Sequence, residues 1–127
     1  MLSRCPMGKK ILIVENNLLM IEVMTYILIN NGYEVFAISS GSEVFGLIKK
    51  EHPDLIILEA ILPGINGKEI CQLLKLNKTT QNLPVIMCSG DESTDESLNV
   101  KGGPDDVLHK PFDISCLIKK VEHQLAA

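Results

Sequence analysis

Five polar residues stand at the ends of apolar segments, and their side chains carry ligand-binding groups: carboxylates, an amide, a hydroxyl and an amine. They are Glu15, Asn16, Glu59, Ser89 and Lys110. In an open α/β sheet, ligands bind outside the carboxyl ends of parallel strands, so residues at those ends can share one pocket. The alternative for Glu59 is an acid that only caps a helix or closes a strand at the surface. The pattern predicts a candidate site, provided that the surrounding elements bring these strand ends together.

The apolar segments that precede these residues have the length and composition of buried parallel strands. The clearest is Leu55–Leu58, which lies between Pro53 and Pro63-Gly64. Asp105 and Asp106, at the start of the last segment, are predicted to be solvated turn acids. Because strands and helical segments alternate, we predict a single doubly wound parallel sheet in the order 2-1-3-4-5, a flavodoxin-like α/β fold. The predicted strands are Lys10–Val14, Tyr33–Ile38, Leu55–Leu58, Leu83–Cys88 and Asp105–His109.

The spacing of apolar residues and the capping residues predict about five helices. The segment Asp91–Pro104 has few large apolar residues and a Gly-Gly-Pro end, so any helix in it should be short and loosely held. The predicted N-terminal caps of the other four are Asn16 or Asn17, Ser40 with Glu43, Asn66 with Glu69, and Asp113. Their apolar stripes are Met20, Ile21, Met24, Ile27 and Leu28; Val44, Leu47 and Ile48; Ile70, Leu73 and Leu74; and Leu117, Ile118, Val121 and Leu125.

Composition limits the classes of function. The chain has 127 residues, 46% hydrophobic and 22% charged, which fits one domain, predicted over 9–126 after a disordered or non-native leader at 1–8. A net charge of −4 without a long basic run argues against nucleic-acid binding. No apolar segment is long enough to cross a bilayer, so we predict no membrane association and a cytoplasmic location. The four cysteines are scattered without a CxxC pair, which supports neither a zinc site nor a redox motif.

Four stretches around these strand ends resemble the receiver domain of two-component response regulators. They are ILIVENN at 11–17, DLIILEAILPGINGKEIC at 54–71, LPVIMCSG at 83–90 and HKPF at 109–112. The resemblance extends from Lys9 to Leu125, and the ordered set of motifs is far more specific than any one of them. It implies a role in phosphorelay signal transduction.

In that family, an aspartate at the end of the third strand accepts a phosphoryl group from a histidine kinase, beside a Mg²⁺ ion held by two acids after the first strand. The resemblance places Glu59 at the phosphoacceptor position, Glu15 at the first acid and Asn16 at the second. These three residues are therefore the equivalents of the metal site. Ser89 and Lys110 match the residues that bind the phosphoryl oxygens in the family.

Two further expectations follow from the resemblance. The family's peptide bond after the lysine is cis, which predicts a cis Lys110–Pro111 bond that would fix how the lysine enters the pocket. Val107 stands where the family has an aromatic residue that, coupled to the position of Ser89, switches between two packed positions. Valine is small and stiff at χ1, so we expect a single fixed arrangement of the fifth strand.

The residues that depart from the family pattern should weaken both Mg²⁺ binding and phosphoryl transfer. Mg²⁺ prefers hard anionic oxygens in octahedral geometry, whereas Asn16 offers a neutral amide and Glu59 moves its carboxylate outward by one methylene, so Mg²⁺ binding should be weak. Glu59 should also be a poor acceptor, because phosphoryl transfer depends on positioning and on neutralisation of charge. Its longer side chain instead favours an ion pair with Lys110. That pair either only neutralises buried charge or partly imitates the phosphorylated state.

Two functions are compatible with these residues. The first is an atypical, phosphorylation-independent pseudo-receiver without enzymatic activity, which docks a signalling protein such as a histidine kinase, an output domain or another regulator. The family docks partners through its fourth helix, fifth strand and fifth helix. The second is an active phosphoacceptor that takes a phosphoryl group from a histidine kinase with Mg²⁺. An unrelated enzyme of the same fold is not supported, because no glycine-rich phosphate loop follows any strand.

Overall fold

The computed structural model describes residues 8–90 and 101–126. Its strands are β1 Lys10–Val14, β2 Glu34–Ile38, β3 Leu55–Glu59, β4 Val85–Ser89 and β5 Asp106–His109. All neighbouring strands pair in parallel, in the order β2-β1-β3-β4-β5, which confirms the predicted order. The central strands β3 and β4 are buried along their whole length, as their continuous apolar composition requires.

The observed strand ends differ from the predicted ones by one or two residues. β2 and β5 each begin one residue later than predicted. β4 begins at Val85 rather than Leu83, because Leu83 donates its N–H in the preceding turn and Pro84 has no N–H to donate. β3 and β4 extend by one residue to include Glu59 and Ser89, so both polar residues are held by the sheet itself.

Four α-helices lie against the sheet in the described part of the chain: α1 Leu18–Asn30, α2 Val44–Glu51, α3 Gly67–Leu76 and α4 Ile114–Leu125. The helix predicted within Asp91–Pro104 falls mostly on residues 91–100, outside the described residues. No helix in the described ranges has both the length and the apolar character that a membrane span requires.

Three of the predicted N-terminal caps are confirmed. The side chains of Asn17, Asn66 and Asp113 each accept a hydrogen bond from the backbone N–H three residues later, at 2.7 to 3.0 Å. Ser40 instead accepts from the N–H of Ser42 at 3.3 Å, because a short 3₁₀ turn precedes α2 and shifts the start of the helix. The predicted capping box at this position is therefore replaced by a tighter turn.

The two faces of the sheet carry separate apolar cores. α1 and α4 cover one face, and α2 and α3 cover the other. One predicted position was wrong: Leu73 is 50% exposed, and Cys71 is buried on α3 instead. The first core contains Ile11, Ile13, Met24, Ile27, Leu28, Tyr33, Leu55, Ile57, Ile86, Cys88, Leu108, Leu117 and Val121. The second contains Leu12, Val14, Val44, Ile56, Leu58, Ala60, Leu62, Ile70, Cys71, Leu74, Val85, Met87 and Val107.

Asp105 is exposed, as predicted, and Asp106 is half-buried, which corrects the prediction that both are solvated; each also forms an ion pair that the sequence analysis did not predict. Asp105 Oδ2 accepts hydrogen bonds from Lys75 Nζ at 2.5 Å and from the N–H of Val85 at 2.8 Å. Asp106 Oδ1 accepts from Lys120 Nζ at 2.9 Å. The two acids therefore tie β5 to α3, β4 and α4, which anchors the strand that precedes Lys110.

Candidate functional site

The carboxyl ends of four neighbouring strands bring the predicted residues to one edge of the sheet. Glu15 directly follows β1, Glu59 ends β3, Ser89 ends β4 and Lys110 directly follows β5. These strands are adjacent in the order β1-β3-β4-β5. The backbone of this edge is continuous across the last two strands, because the N–H of Lys110 donates to the carbonyl of Ser89 at 2.9 Å. The predicted convergence of strand ends is therefore what the structure shows.

The centre of the site is the ammonium group of Lys110. Lys110 Nζ donates to Glu15 Oε1 at 2.9 Å and also to Glu59 Oε1. The second oxygen of each carboxylate accepts a backbone N–H: Glu15 Oε2 from Asn17 at 3.1 Å and Glu59 Oε2 from Ile61 at 3.3 Å. Each of the four carboxylate oxygens therefore has a donor, and one cation bridges the two acids.

Because the two carboxylates are buried, their ion pairs with Lys110 matter for the stability of the fold. Glu15 and Glu59 are only 2% and 7% exposed, so each carboxylate needs compensation by charge or hydrogen bonds. Burial by itself lowers the pKa of Lys110, but hydrogen bonds to Glu59 and Glu15 outweigh it, and the net effect raises the pKa above the usual 10.5. Lys110 is therefore held in its charged form throughout the neutral pH range.

The sequence analysis predicted only one of the two ion pairs that Lys110 forms in this cluster. The pairing of Glu59 with Lys110 was predicted, whereas the second bond, from Lys110 to Glu15, was missed. A signal was present, because an acid directly after β1 faces the neighbouring strand ends in a parallel sheet. Asn16 is exposed, and the backbone N–H bonded to Glu15 belongs to Asn17 instead.

The other predicted positions are placed as follows. Ser89 is fully buried at the end of β4, and Val107 is 3% exposed in the core beneath α2 and α3. The Lys110–Pro111 peptide bond is cis, as predicted. His109 is exposed.

Cys88 lies beside the site, paired in register with Glu59. Burial raises the pKa of its thiol to about 12, with Lys110 lowering it and the two carboxylates raising it further. Burial likewise raises the pKa of Cys71 to about 11. A thiol with such a pKa is almost entirely protonated at neutral pH, so neither cysteine is an activated nucleophile.

Gly67 positions Glu59 by allowing a close approach that any side chain would prevent. It is the first residue of α3, and its N–H donates to the carbonyl of Ala60 at 2.8 Å. A Cβ at this position would lie 2.0 Å from the carbonyl oxygen of Glu59. The start of α3 therefore packs directly on the backbone of the site, a contact that the sequence analysis did not predict.

We expect Gly67→Ala to lower the free energy of unfolding by about 3 kcal/mol or more, because the backbone of Glu59 cannot move away without breaking its pairing with β4. The matched control is Gly46→Ala on α2, where nothing lies within 4 Å of the added carbon. That change should stabilise the fold by about 0.5–1 kcal/mol, the difference in helix propensity. Urea denaturation measures both, and equal effects of the two substitutions would contradict the role of Gly67.

Comparisons with known proteins agree with the observed fold. The family model described as the response regulator receiver domain matches residues 11–122. A crystal structure described as a response regulator of Chloroflexus aurantiacus J-10-fl has a TM-score of 0.88 and 33% identity, covering 94% of this chain and 99% of that one.

Two curated relatives are similar over one part of their length. The DNA-binding response regulator MtrA of Mycolicibacterium smegmatis is 30% identical over 120 residues, which are 94% of this chain and 51% of MtrA. The alkaline phosphatase synthesis transcriptional regulatory protein PhoP of Bacillus subtilis is 36% identical over 107 residues, 84% of this chain and 44% of PhoP. The chain thus spans about half the length of the curated relatives it matches.

Proposed function

The chain belongs to the response regulator receiver domain family, and we propose that it is an atypical receiver that takes no phosphoryl group and signals by docking partner proteins. The observation that carries this proposal is the bridge from Lys110 to Glu15 and Glu59. An acceptor carboxylate must present an oxygen in line with the incoming phosphorus. Both oxygens of Glu59 are already bonded, one to the ammonium group and one to the N–H of Ile61.

The side chains at this edge also do not fit a tight Mg²⁺ site. The ammonium group of Lys110 lies between the two carboxylates, where a divalent cation would have to compete with it. Asn16, at the position of the family's second acid, is neutral and exposed. No cluster of three or more His, Cys, Asp or Glu side chains that could hold a metal occurs within 8–90 and 101–126. Mg²⁺ needs several hard oxygens in octahedral geometry, so weak binding is expected.

Titration with Mg²⁺, followed by calorimetry or by amide chemical shifts of the strand ends, should give a dissociation constant of about 1 mM or weaker, because the ion must displace Lys110 from both acids. Glu15→Gln is the control variant and should remove the residual binding, since one of the two carboxylates is lost. Micromolar binding by the wild type would contradict the proposal.

Incubation with acetyl phosphate and Mg²⁺ tests the proposal directly. We expect the intact mass of the wild type to remain unchanged, because both oxygens of Glu59 accept hydrogen bonds and Mg²⁺ is expected to bind only weakly beside it. A phosphoryl adduct mapped to Glu59 would instead establish the second function, an active phosphoacceptor supplied by a histidine kinase.

Docking of a signalling protein is the remaining part of the proposal. The surface used in the family corresponds here to β5, α4 and the segment before β5, of which residues 91–100 lie outside the described residues. Val107, at the family's aromatic position, is buried in the core, which supports a surface of one fixed shape. A cytoplasmic location, the absence of enzymatic activity and the absence of nucleic-acid binding by this domain remain parts of the same proposal.

A further inference from the structure

Helix α1 presents a large apolar face to solvent. The exposed fractions are 72% for Leu18, 70% for Leu19, 43% for Val23, 73% for Tyr26 and 54% for Ile29. The opposite side of the same helix is buried in the core. A helix that is apolar all round is normally buried on all sides, so the exposed half of α1 is expected to have an occupant.

The exposed residues form two adjacent rows. Leu19, Val23 and Tyr26 follow the spacing i, i+4, i+7 of a helix-packing seam. Leu18 and Ile29 lie in the neighbouring row together with Glu22, which is the only charged residue of α1. An interface core is depleted of charge and enriched in aromatic residues, and this face has both properties.

The face is large enough for a specific interface. A large side chain presents on the order of 150–200 Å² when fully exposed, so the five exposed fractions leave on the order of 500 Å² of apolar surface on α1. Two such faces would bury on the order of 1,000 Å², the area that a specific interface needs. The largest apolar patch of a typical monomer covers about 300–600 Å² and is often functional, so the face on α1 has the size of an interaction site.

We propose that the occupant is a second copy of this chain, packed through α1 about a two-fold axis. Interfaces between identical subunits are more apolar than those of transient complexes. The whole chain carries a net charge of −4, and two copies meet with least repulsion through a face that has a single charge. Val23 lies near the middle of α1 between two larger residues, so an antiparallel pairing sets Leu19 of one copy against Tyr26 of the other, with Val23 at the axis. This inference does not depend on the state of Glu59.

Sedimentation equilibrium of the full chain in the micromolar range tests the proposal. We expect a mass approaching twice the 14.0 kDa of one chain. Tyr26→Lys should weaken the dimer at least 30-fold, roughly the loss at an interface hot spot. The matched control is Leu73→Lys on α3, an equally apolar residue that is 50% exposed, and it should leave the mass unchanged. Circular dichroism confirms that each variant is folded.

A pair of charge variants tests whether the same face is used on both copies. Val23→Lys and Val23→Glu should each be monomeric alone, because like charges meet at the two-fold axis, and an equimolar mixture should recover a dimer. A monomeric wild type would overturn the proposal and leave the face for a helix of another protein. A mixture that stays monomeric, or an equal effect of Leu73→Lys and Tyr26→Lys, would also overturn it.

Discussion

Replacing Glu59 by Asp together with Asn16 by Asp is expected to make the protein accept a phosphoryl group from acetyl phosphate in the presence of Mg²⁺. The shorter side chain draws the acceptor carboxylate back by about one carbon–carbon bond, roughly 1.5 Å, and away from Lys110. The new carboxylate at position 16 adds the charge that Mg²⁺ requires. Both changes are needed, because a misplaced acceptor or a missing metal each removes most of the rate.

We expect the double variant to be labelled at least about 100-fold faster than either single variant, since a displacement of about 1 Å can cost that much in rate. The two effects should not be additive, because acceptor position and metal charge act in the same step. The measurement is a time course of intact mass with phosphodonor and Mg²⁺, followed by mapping of the labelled residue.

The matched control is Glu59→Asp combined with Asn17→Asp, which adds the same charge one residue away. Asp is as good a helix cap as Asn, so this variant should fold normally. It should be labelled no faster than Glu59→Asp alone, because the side chain at position 17 is directed to the N–H of Met20. Equal labelling of both double variants would mean that added negative charge alone is sufficient, and a double variant that binds Mg²⁺ without labelling would contradict the explanation.

Lys110→Met is expected to lower the free energy of unfolding by about 2–4 kcal/mol, because it leaves two buried carboxylates without their shared cation. This loss is about 1 kcal/mol smaller than that for a fully buried pair, since the Lys110 side chain is 25% exposed. The matched control, Lys50→Met, removes an exposed lysine of α2 and should change stability by about 0.5 kcal/mol or less. Urea denaturation at neutral pH measures both.

The pH dependence of this difference follows from the raised pKa of Lys110. Because folding raises the pKa of Lys110, the charged lysine stabilises the fold at pH values below its unfolded pKa of 10.5. This stabilisation is lost as the pH rises through the pKa of the folded state. The contribution of Lys110 to the difference in stability between wild type and Lys110→Met should therefore stay constant through neutral pH and shrink in strongly alkaline solution. Adding Glu59→Gln to Lys110→Met should restore part of the lost stability, because one unpaired carboxylate is then removed. No recovery would argue that Lys110 acts mainly through packing of its aliphatic chain.

Local patterns in the chain were sufficient to predict the fold. The apolar runs Leu55–Leu58 and Lys10–Val14 are confirmed as strands, since a strand buried on both faces needs an unbroken apolar segment of that length. Asn17, Asn66 and Asp113 are confirmed as caps, because capping depends on residues within one turn of each other. The convergence of polar strand ends also followed, since parallel strands place all their carboxyl ends at one edge.

The sequence by itself therefore determined the strands, three of the helix caps and the edge at which the site lies, and the strand order chosen from general rules for parallel sheets is confirmed. Tertiary structure decided the contacts that the sequence analysis had not predicted: Lys110 bonds Glu15 across 95 residues, and at the start of β5 Asp105 bonds Lys75 across 30 residues. The predicted inward stripe of α1 is confirmed at Met24, Ile27 and Leu28, whereas only the tertiary structure shows that the apolar residues on the opposite side of the helix stay exposed. The physical reason is the same in both cases. Propensity and periodicity act over one turn of helix or a few strand residues, whereas ion pairing and exposure depend on the distant segments that the fold brings together.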